Sequence, residues 1–472
     1  MCDIDTEHKP VLDTRLERKR VPGKCIKCKT AKPNVTIRGC LYCKPCFVSA
    51  SIVKFRGALK KSNGRVDAQR RQQNGALEPQ RLMVALSGGP SSTAMLHLVA
   101  DYQQSVTQKS GDFVQPPYAD IVVGHVDESA LFDVPEGAVR NIANGRTFHE
   151  ASLEDIFSVS DDRDVLLKIV RASMASEEQQ SGGGFSAQII KNSDKHTPPR
   201  ERLRQLFSAL DSDSSRESLL DAIRTFLLVR LARALQCTVL LLGESATRIA
   251  TRVVSLTSCG RGFSLPFEIA SESTWFDGVT LIRPMRDFIA KEIAFFNRWT
   301  GYTSVVVPTF TTGAPVHASI DRLSETFVVG LDRDFASTVS TVCRTVQKLE
   351  PQAEALSACP CIVCGMPAEP DAQDWRSRLT VGQAASSTLP SSGFDISSHL
   401  CYSCQNILHF SESADSGGLV LPGFCVERIR DHSVSRPSAS SNAEQHEALR
   451  RQVEQFFLNS DDEDDDEVDN CE

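Results

Sequence analysis

Short runs of Val, Ile and Leu alternate along the chain with longer stretches in which apolar residues recur every three or four positions. Four such runs, at residues 82–86, 121–127, 238–243 and 279–284, predict buried strands. Near-continuous apolar runs suit strands that are covered on both faces, so they predict a parallel sheet with helices on both faces. The chain is therefore expected to be an α/β protein.

A helical pattern precedes this predicted sheet. Val48, Ile52, Phe55 and Leu59 recur at steps of four, three and four, which predicts an amphipathic helix with these residues on its buried face. The other faces of this helix carry Lys54, Arg56, Lys60 and Lys61.

Other segments predict a further helix and several loops. Residues 172–216 include SEEQQSGGG and KHTPPR and predict a flexible insertion, which a helix over 217–235 follows. Residues 381–398 and 432–446 are rich in Ser and are expected to be mobile. Past the sheet, a helical face is predicted from Ile320, Leu323, Phe327 and Leu331.

The chain of 472 residues is long enough for one large domain and smaller regions. The N-terminus, MCDIDTEHKP, lacks an apolar leader, and no run approaches the ~20 apolar residues of a spanning helix, which predicts a cytoplasmic protein with no membrane partner. The predicted regions are a polar tail over 1–23, a basic zinc knuckle and helix over 24–80, an α/β domain over 81–345, a cysteine-knuckle region over 346–430 and a disordered acidic tail over 431–472.

Charge is distributed unevenly along the chain, whose formal net charge is −8. Residues 1–81 carry nineteen Lys or Arg against seven acids, whereas the last twelve residues, DDEDDDEVDNCE, hold nine acids. The N-terminal region is therefore suited to a polyanion such as RNA, which it would bind in a salt-dependent way. A basic face that is merely solvated is the alternative interpretation.

The N-terminal region holds a first group of cysteines with metal-ligand spacing. A tetrahedral zinc ion needs four thiolates, which two C-x-x-C turns can supply. Cys25 and Cys28 form the first pair, and the second is either Cys40 with Cys43 or Cys43 with Cys46. The longer interval is nearer the ~15–20 residues usual between such pairs, so the second choice is preferred. An iron–sulfur cluster or unligated thiols are the alternatives. The predicted ligands of a structural zinc are Cys25, Cys28, Cys43 and Cys46.

A second group of cysteines lies near the C-terminus. Its two pairs are separated by thirty-six residues, many of them Ser. Closure of so long a loop by zinc is reasonable because closure entropy grows only slowly with loop length. The alternative is that the two pairs do not share a metal. The predicted ligands are Cys361, Cys364, Cys401 and Cys404.

Residues 84–93, VALSGGPSST, end the first predicted strand, turn at Ser-Gly-Gly and enter a helix. Backbone N–H groups beside two glycines, together with the positive end of a helix, suit a phosphate group. This arrangement resembles the PP-loop ATPase superfamily, which carries Ser-Gly-Gly-x-Asp-Ser at this place and uses ATP to adenylate a carbonyl oxygen. The residues matched to that loop are Ser87, Gly88, Gly89, Ser91 and Ser92, with Ser91 in place of the Asp. A neutral hydroxyl holds Mg²⁺ poorly, so the loop is expected to be vestigial and ATP binding is left open.

Within that superfamily the sequence resembles the cytoplasmic tRNA 2-thiolation protein 2 family. The likeness is carried by CIKC…YCKPCFVSASIVKFR, LSGGPSST, LLGESATRIATRVVSLTSCGRGFSLPF, IRPMRDFIAKEI, FASTVSTVCRTVQKL and CIVC…CYSC, in this order. The resemblance implies a heterodimer with a catalytic PP-loop paralogue that acts on the wobble uridine (U34) of tRNAs for Lys, Glu and Gln. It also implies a thiocarboxylated ubiquitin-like protein as the sulfur donor.

Differences from the catalytic paralogues imply that this chain has no catalytic residue. GESAT at 243–247 lacks their acid pair, and SLLDAIRTFLLVRLA lacks the cysteines that they place ahead of an arginine-bearing helix. The expected function is therefore that of a non-catalytic subunit. The alternatives are an autonomous tRNA sulfurtransferase with Cys259 as nucleophile, and a zinc-ribbon RNA-binding protein with no role in thiolation. His97 and His125 lie in apolar contexts and are interpreted as core residues.

Overall fold

The computed structural model describes part of the chain, and two units are separated at residue 426. Residues 1–22 and the two Ser-rich stretches lie outside the described residues, and so does the acidic tail from residue 430 onward. The second unit, Glu427–Glu472, is described only over residues 427–429. The described ranges are 23–74, 80–109, 118–135, 137–157, 197–335, 337–372, 375–376, 399–408, 422–425 and 427–429.

The described strands form a small hairpin and a six-stranded sheet. The strands are β1 Val35–Ile37, β2 Cys40–Tyr42, β3 Gln80–Ala85, β4 Tyr118–Asp127, β5 Phe148–Ser152, β6 Val239–Leu241, β7 Glu272–Ser273 and β8 Thr280–Ile282. The order in the larger sheet is β5-β4-β3-β6-β8-β7, and neighbouring strands are parallel, except that β7 is antiparallel to β8. The four strands predicted from apolar runs are confirmed as β3, β4, β6 and β8.

Helices follow or precede most of these strands. The α-helices of the described residues are α1 Lys44–Asn74, α2 Pro90–Lys109, α3 Ala138–Ala143, α4 Pro199–Ser208, α5 Asp213–Ala234, α6 Ala246–Ser258, α7 Leu265–Ile269, α8 Ala290–Thr300, α9 Ile320–Asp334, α10 Thr338–Val346, α11 Ala353–Ser357 and α12 Tyr402–Ile407. The predicted basic helix is confirmed as the long α1, and the helix predicted over 217–235 is confirmed as α5.

Helices cover both faces of the sheet, as the apolar runs predict. Leu82 and Val84 of β3 lie in the same hydrophobic core as Phe55 of α1. Met83, whose side chain points to the opposite face, lies in a second core with Val229 of α5. Burial on both faces explains why β3 carries an uninterrupted apolar run, and the predicted α/β fold class is confirmed.

Two expectations are corrected. The predicted insertion 172–216 is described from residue 197, and this part contains α4 and the first turn of α5. Pro199 starts α4, and its buried Leu203, Leu206 and Phe207 lie at helical spacing, which the polar residues around them obscure. The helix α9 is present, but Leu323 and Phe327 of its predicted apolar face are 52% and 56% exposed.

Candidate functional site

The Ser-Gly-Gly loop follows β3 and leads into α2 at Pro90. Gly88 has φ of 80°, and a Cβ at this position would lie 3.0 Å from Cγ2 of Val139, so the turn requires glycine there. Val305 donates its N–H to the Gly88 carbonyl over 2.9 Å, which ties the loop to the segment after α8. The loop thus keeps the strand–turn–helix geometry of a phosphate-binding turn.

Hydroxyl groups of the loop hydrogen-bond to one another and to the turn that follows β6. Ser91 donates from Oγ to the Gly243 carbonyl, in the turn that follows β6. The Oγ atoms of Ser87 and Ser92 lie 3.1 Å apart and share a hydrogen bond. An aspartate with the side-chain orientation of Ser91 would place its carboxylate beside the Gly243 carbonyl oxygen. Both groups can only accept a hydrogen bond, so they would repel each other. The geometry therefore accounts for serine where the superfamily carries aspartate.

A cavity of about 580 Å³ lies beside this loop, at the carboxyl ends of the central strands. Its walls include Ser87 and residues 89–92 of the loop, part of α5 and the start of α6. Ligands of open parallel sheets bind at this end of the strands. The cavity is therefore the candidate functional site.

Arginine and carboxylate side chains line one wall of the cavity. Arg252 lies 2.6 Å from Asp221 and 3.3 Å from Glu244, measured from guanidinium nitrogen to carboxylate oxygen. Glu244 also accepts a hydrogen bond from Nε of Arg283, and Arg224 donates to Glu128 over 2.7 Å. The lining arginines are Arg224, Arg248, Arg252, Arg261 and Arg283, and the lining acids are Glu128, Asp221, Glu244 and Glu268.

Each of these four lining carboxylates is paired with an arginine. Burial alone would raise the pKa of the Asp221 carboxyl, but the charges of Arg252 and Arg224 outweigh it and lower that pKa to about 2. The pKa of Glu244 is also lowered, because Arg252 and Arg283 outweigh the cost of its burial. The arginines thus neutralise the charges of Asp221 and Glu244, which leaves these two carboxylates poorly placed to hold Mg²⁺.

The C-terminal cysteines meet at the cavity. The thiols of Cys361, Cys364, Cys401 and Cys404 lie within 4.8 Å of one another and all four residues are buried, and the sulfurs of Cys364 and Cys401 are 3.8 Å apart. Cys364 also lines the cavity. Nη2 of Arg261 lies 3.7 Å from Sγ of Cys404. We call these four residues the C-terminal cluster.

The N-terminal cysteines form a second group of four. The thiols of Cys25, Cys28, Cys43 and Cys46 lie within 4.8 Å of one another, while Cys40 belongs to β2 and is not in the group. The four residues that lie together are those of the longer interval between the pairs. A hydrogen bond from the Thr30 side chain is the main cause that lowers the pKa of Cys28 to about 5, whereas a hydrogen bond with the Cys43 side chain is the main cause that raises the pKa of Cys46 to about 12. We call these four residues the N-terminal cluster.

The N-terminal cluster is joined to the main domain through α1. Phe47, at the start of that helix, packs edge-on against Trp299 with ring centroids 5.3 Å apart. Lys54 lies 2.9 Å from Glu292 of α8, and Arg56 lies 2.7 Å from Asp101 of α2. Part of the basic charge that suggested a polyanion site is therefore used to dock the helix. Seven lysines of this region remain exposed, namely Lys24, Lys27, Lys29, Lys32, Lys44, Lys60 and Lys61.

Isolated cysteines offer no substitute nucleophile at the cavity. Cys259 caps the end of α6 and is not among the described residues that line the cavity. Burial raises its pKa, and burial raises the pKa of both Cys237 and Cys343 to about 11. Sequence analysis predicted Cys364 as a metal ligand but not its place at the cavity wall, which depends on how distant parts of the chain pack together.

The two histidines singled out from their apolar contexts are accommodated within the fold. His125 is 8% exposed and hydrogen-bonds through Nδ1 to the Leu86 carbonyl. His97 is half-buried and stacks on Tyr302 with ring centroids 3.6 Å apart.

In the part of the chain that is described, no helix is long and apolar enough to cross a bilayer.

The fold and site define an α/β protein with a Ser-Gly-Gly loop after its central strand and two four-cysteine clusters. A sequence profile of the family described as cytoplasmic tRNA 2-thiolation protein 2 matches residues 319–406. The Homo sapiens protein of this name is 32% identical over 78% of this chain and 75% of its own length. The Bos taurus protein is 30% identical over 74% of this chain and 73% of its own. The chain belongs to the cytoplasmic tRNA 2-thiolation protein 2 family.

Other relatives and solved structures match over different lengths. Cytoplasmic tRNA 2-thiolation protein 2-A of Xenopus laevis is 26% identical over 98% of this chain and 99% of its own length. Among solved structures, the U34-tRNA thiolase NcsA of Methanococcus maripaludis with its [4Fe-4S] cluster matches at 15% identity with a TM-score of 0.44. That alignment covers 71% of this chain and 92% of the thiolase.

Proposed function

We propose that this chain is the non-catalytic subunit of a cytoplasmic tRNA 2-thiolation complex. Its partner is a catalytic PP-loop paralogue, and the substrate is the wobble uridine (U34) of tRNAs for Lys, Glu and Gln. Sulfur comes to the paralogue from a thiocarboxylated ubiquitin-like donor. The names of the relatives support the thiolation reaction and the cytoplasmic location.

The pairing of the cavity's carboxylates carries the non-catalytic part of this proposal. Adenylation with ATP needs an ion such as Mg²⁺ beside the phosphates, held by an oxygen ligand with free capacity. The four lining acids are bonded to arginines, and Ser91 donates its hydroxyl to Gly243. In this proposal the loop therefore serves the fold and does not bind the Mg²⁺ that adenylation needs.

Both clusters hold structural zinc in this proposal. Four sulfurs around one zinc ion with Zn–S bonds of about 2.3 Å lie about 3.8 Å apart. The sulfurs of Cys28 and Cys43, and those of Cys364 and Cys401, are separated by 3.8 Å. A [4Fe-4S] cluster needs its cysteines farther apart, because the iron–sulfur cube lies between them.

The exposed lysines of the N-terminal region are proposed to contact the tRNA backbone. All seven lie within residues 24–61, four of them before the hairpin and three on α1. Such contacts position the substrate without reading its sequence, and positioning can supply several orders of magnitude in rate. A chemically silent subunit can thus be essential.

Reconstitution of the complex tests this proposal. The full chain, the catalytic paralogue and their mixture are each supplied with ATP, the sulfur donor and unmodified tRNA, and 2-thiouridine is measured by mass spectrometry. Activity that needs both proteins is expected. Thiolation by this chain alone would establish the autonomous sulfurtransferase, whereas full activity of the paralogue alone would reduce this chain to an RNA-binding protein with no role in thiolation.

One observation favours the autonomous sulfurtransferase as a second candidate. Cys364 brings a thiol to the cavity wall, which Cys259 does not. ATP–pyrophosphate exchange by the chain alone that survives in Cys364→Ser, with sulfur transfer that is lost in Cys364→Ser and retained in Cys259→Ser, would support that candidate, because an unfolded variant would lose both activities.

A further inference from the structure

A third group of metal-ligating side chains stands apart from the two cysteine clusters, at the carboxyl ends of β4 and β5. It consists of His125, Asp127 and Glu150, whose ligand atoms all lie within 4.8 Å of one another. Parallel pairing sets His125 directly beside Glu150, and Asp127 lies two residues along β4, on the same face. Strand register, rather than a flexible loop, therefore brings the three side chains together.

The imidazole of His125 is held in the form that binds a metal. Its Nδ1 lies 2.8 Å from the Leu86 carbonyl oxygen, which can only accept a hydrogen bond, so Nδ1 carries the proton. In the neutral ring this leaves the lone pair on Nε2. Among the residues that the structure describes, none hydrogen-bonds to Nε2, although the side chain is more than nine-tenths buried. Metal-binding histidines are oriented by this kind of bond from the other ring nitrogen to a backbone carbonyl.

The carboxylates of Asp127 and Glu150 have surroundings that suit a bound cation. Asp127 accepts hydrogen bonds from the N–H and the hydroxyl of Ser129, over 3.0 Å and 2.7 Å, which fix its orientation. Glu150 pairs with Arg140 over 3.2 Å in a largely exposed contact. The guanidinium of Arg140 thus neutralises the Glu150 carboxylate. An exposed ion pair of this kind is weak, so a divalent cation can displace it.

We propose that His125, Asp127 and Glu150 form an open binding site for a divalent cation such as Mn²⁺, in exchange for Arg140. One imidazole and two carboxylates suit borderline and hard ions of the first transition row, unlike the four thiolates of each cysteine cluster. Ligand atoms around an ion with bonds of about 2.1 Å stand about 3–4 Å apart, so side-chain shifts of the order of 1 Å complete the site. Three protein ligands leave positions for water, and His125 places the ion at the edge of the cavity.

Electron paramagnetic resonance of Mn²⁺ with the full-length chain tests this proposal. Thiolate clusters compete poorly for Mn²⁺, and weak binding to the acidic residues 461–467 is a background that all variants share. One Mn²⁺ per chain is expected above this background, with electron spin-echo modulation from an imidazole nitrogen. Bound, exchangeable water is expected to enhance proton relaxation.

Matched variants separate the site from the background. Asp127→Asn and Glu150→Gln are expected to weaken Mn²⁺ binding at least about tenfold. His125→Asn, which keeps a donor for the Leu86 carbonyl, is expected to abolish the nitrogen modulation, and Arg140→Gln is expected to tighten binding. His149→Ala, one residue from Glu150 on the other face of β5, is the control and is expected to change nothing. No Mn²⁺ signal above background, or equal binding in Asp127→Asn and Glu150→Gln, would overturn the proposal.

Discussion

The two cysteine clusters have the same ligands and the same sulfur spacing but very different surroundings. In the N-terminal cluster Cys28 and Cys46 are partly exposed, and the lysines around it face solvent. The C-terminal cluster is wholly buried, touches Arg261 and forms part of the cavity wall. The same arrangement of four cysteines thus lies beside a basic surface at one end of the chain and in the wall of a cavity at the other.

Loss of a single ligand should distinguish the two clusters most strongly. Cys404→Ser is expected to lower the free energy of unfolding of the main domain by at least about 3 kcal/mol, because it removes a buried ligand and the sulfur beside the Arg261 guanidinium. Cys28→Ser removes a partly exposed thiol and should cost clearly less. Urea denaturation with metal analysis measures both effects. Equal losses would contradict a difference in role.

Substitution of an arginine in the cavity wall should lower the free energy of unfolding by a similar amount. Arg252→Met keeps much of the side-chain volume but leaves Asp221, Glu244 and Glu268 without this partner, so we expect a loss of about 3–5 kcal/mol. Arg248→Ala, one turn earlier on α6, breaks an exposed pair with Asp321 and should cost ~0–1 kcal/mol. Denaturant unfolding compares the two variants, and a neutral Arg252→Met would show that the network is dispensable.

Acid should remove the contribution of the Asp221 carboxylate to the stability of the folded chain. The pKa of Asp221 is about 2 in the folded chain and about 3.9 in an unfolded one. A lowered folded pKa contributes stability above pH ~4 that is lost as the pH falls towards 2. The stability difference between the wild type and Asp221→Asn is therefore expected to shrink over this window. Thermal unfolding measured at a series of pH values checks this, and a constant difference would contradict it.

The smallest effect is expected at the N-terminal surface. Lys60→Ala with Lys61→Ala removes two exposed charges of α1, so tRNA affinity should fall a few-fold and the salt slope should decrease by about 1–2. Lys348→Ala is the control, since this exposed lysine lies outside the basic region. Filter binding at several salt concentrations measures the change. Equal losses in all variants would assign the effect to net charge alone.

The local pattern of apolar residues predicted the strands that are buried on both faces. The strands β3, β4, β6 and β8 carry continuous apolar runs, because helices cover both of their faces. The strand β5 escaped prediction because FHEAS at the edge of the sheet has no such run. The helix α4 was missed because its buried Leu203, Leu206 and Phe207 are set among charged residues.

The site was only partly predictable for a different reason. Cysteine spacing identified both clusters, since their pairs are local in sequence. The arginine wall depends on partners such as Arg283 and Glu244, which are 39 residues apart and carry no spacing signal. Likewise, Ser91 was recognised as a replacement for aspartate, but only the facing carbonyl of Gly243 explains it.

In the proposed function, 2-thiolation of the wobble uridine takes place in the catalytic paralogue and not in this chain's cavity. Variants of the Ser-Gly-Gly loop in the reconstituted mixture test this most directly. Ser87→Ala with Ser92→Ala in this chain is compared with Asp→Asn in the paralogue's own Ser-Gly-Gly-x-Asp-Ser loop, and the rate of 2-thiouridine formation is measured. The variant of this chain is expected to keep the rate within about threefold, a change of under 1 kcal/mol in the activation free energy, while the paralogue variant loses it. Abolished thiolation in the Ser87→Ala, Ser92→Ala complex, with assembly intact, would contradict the claim.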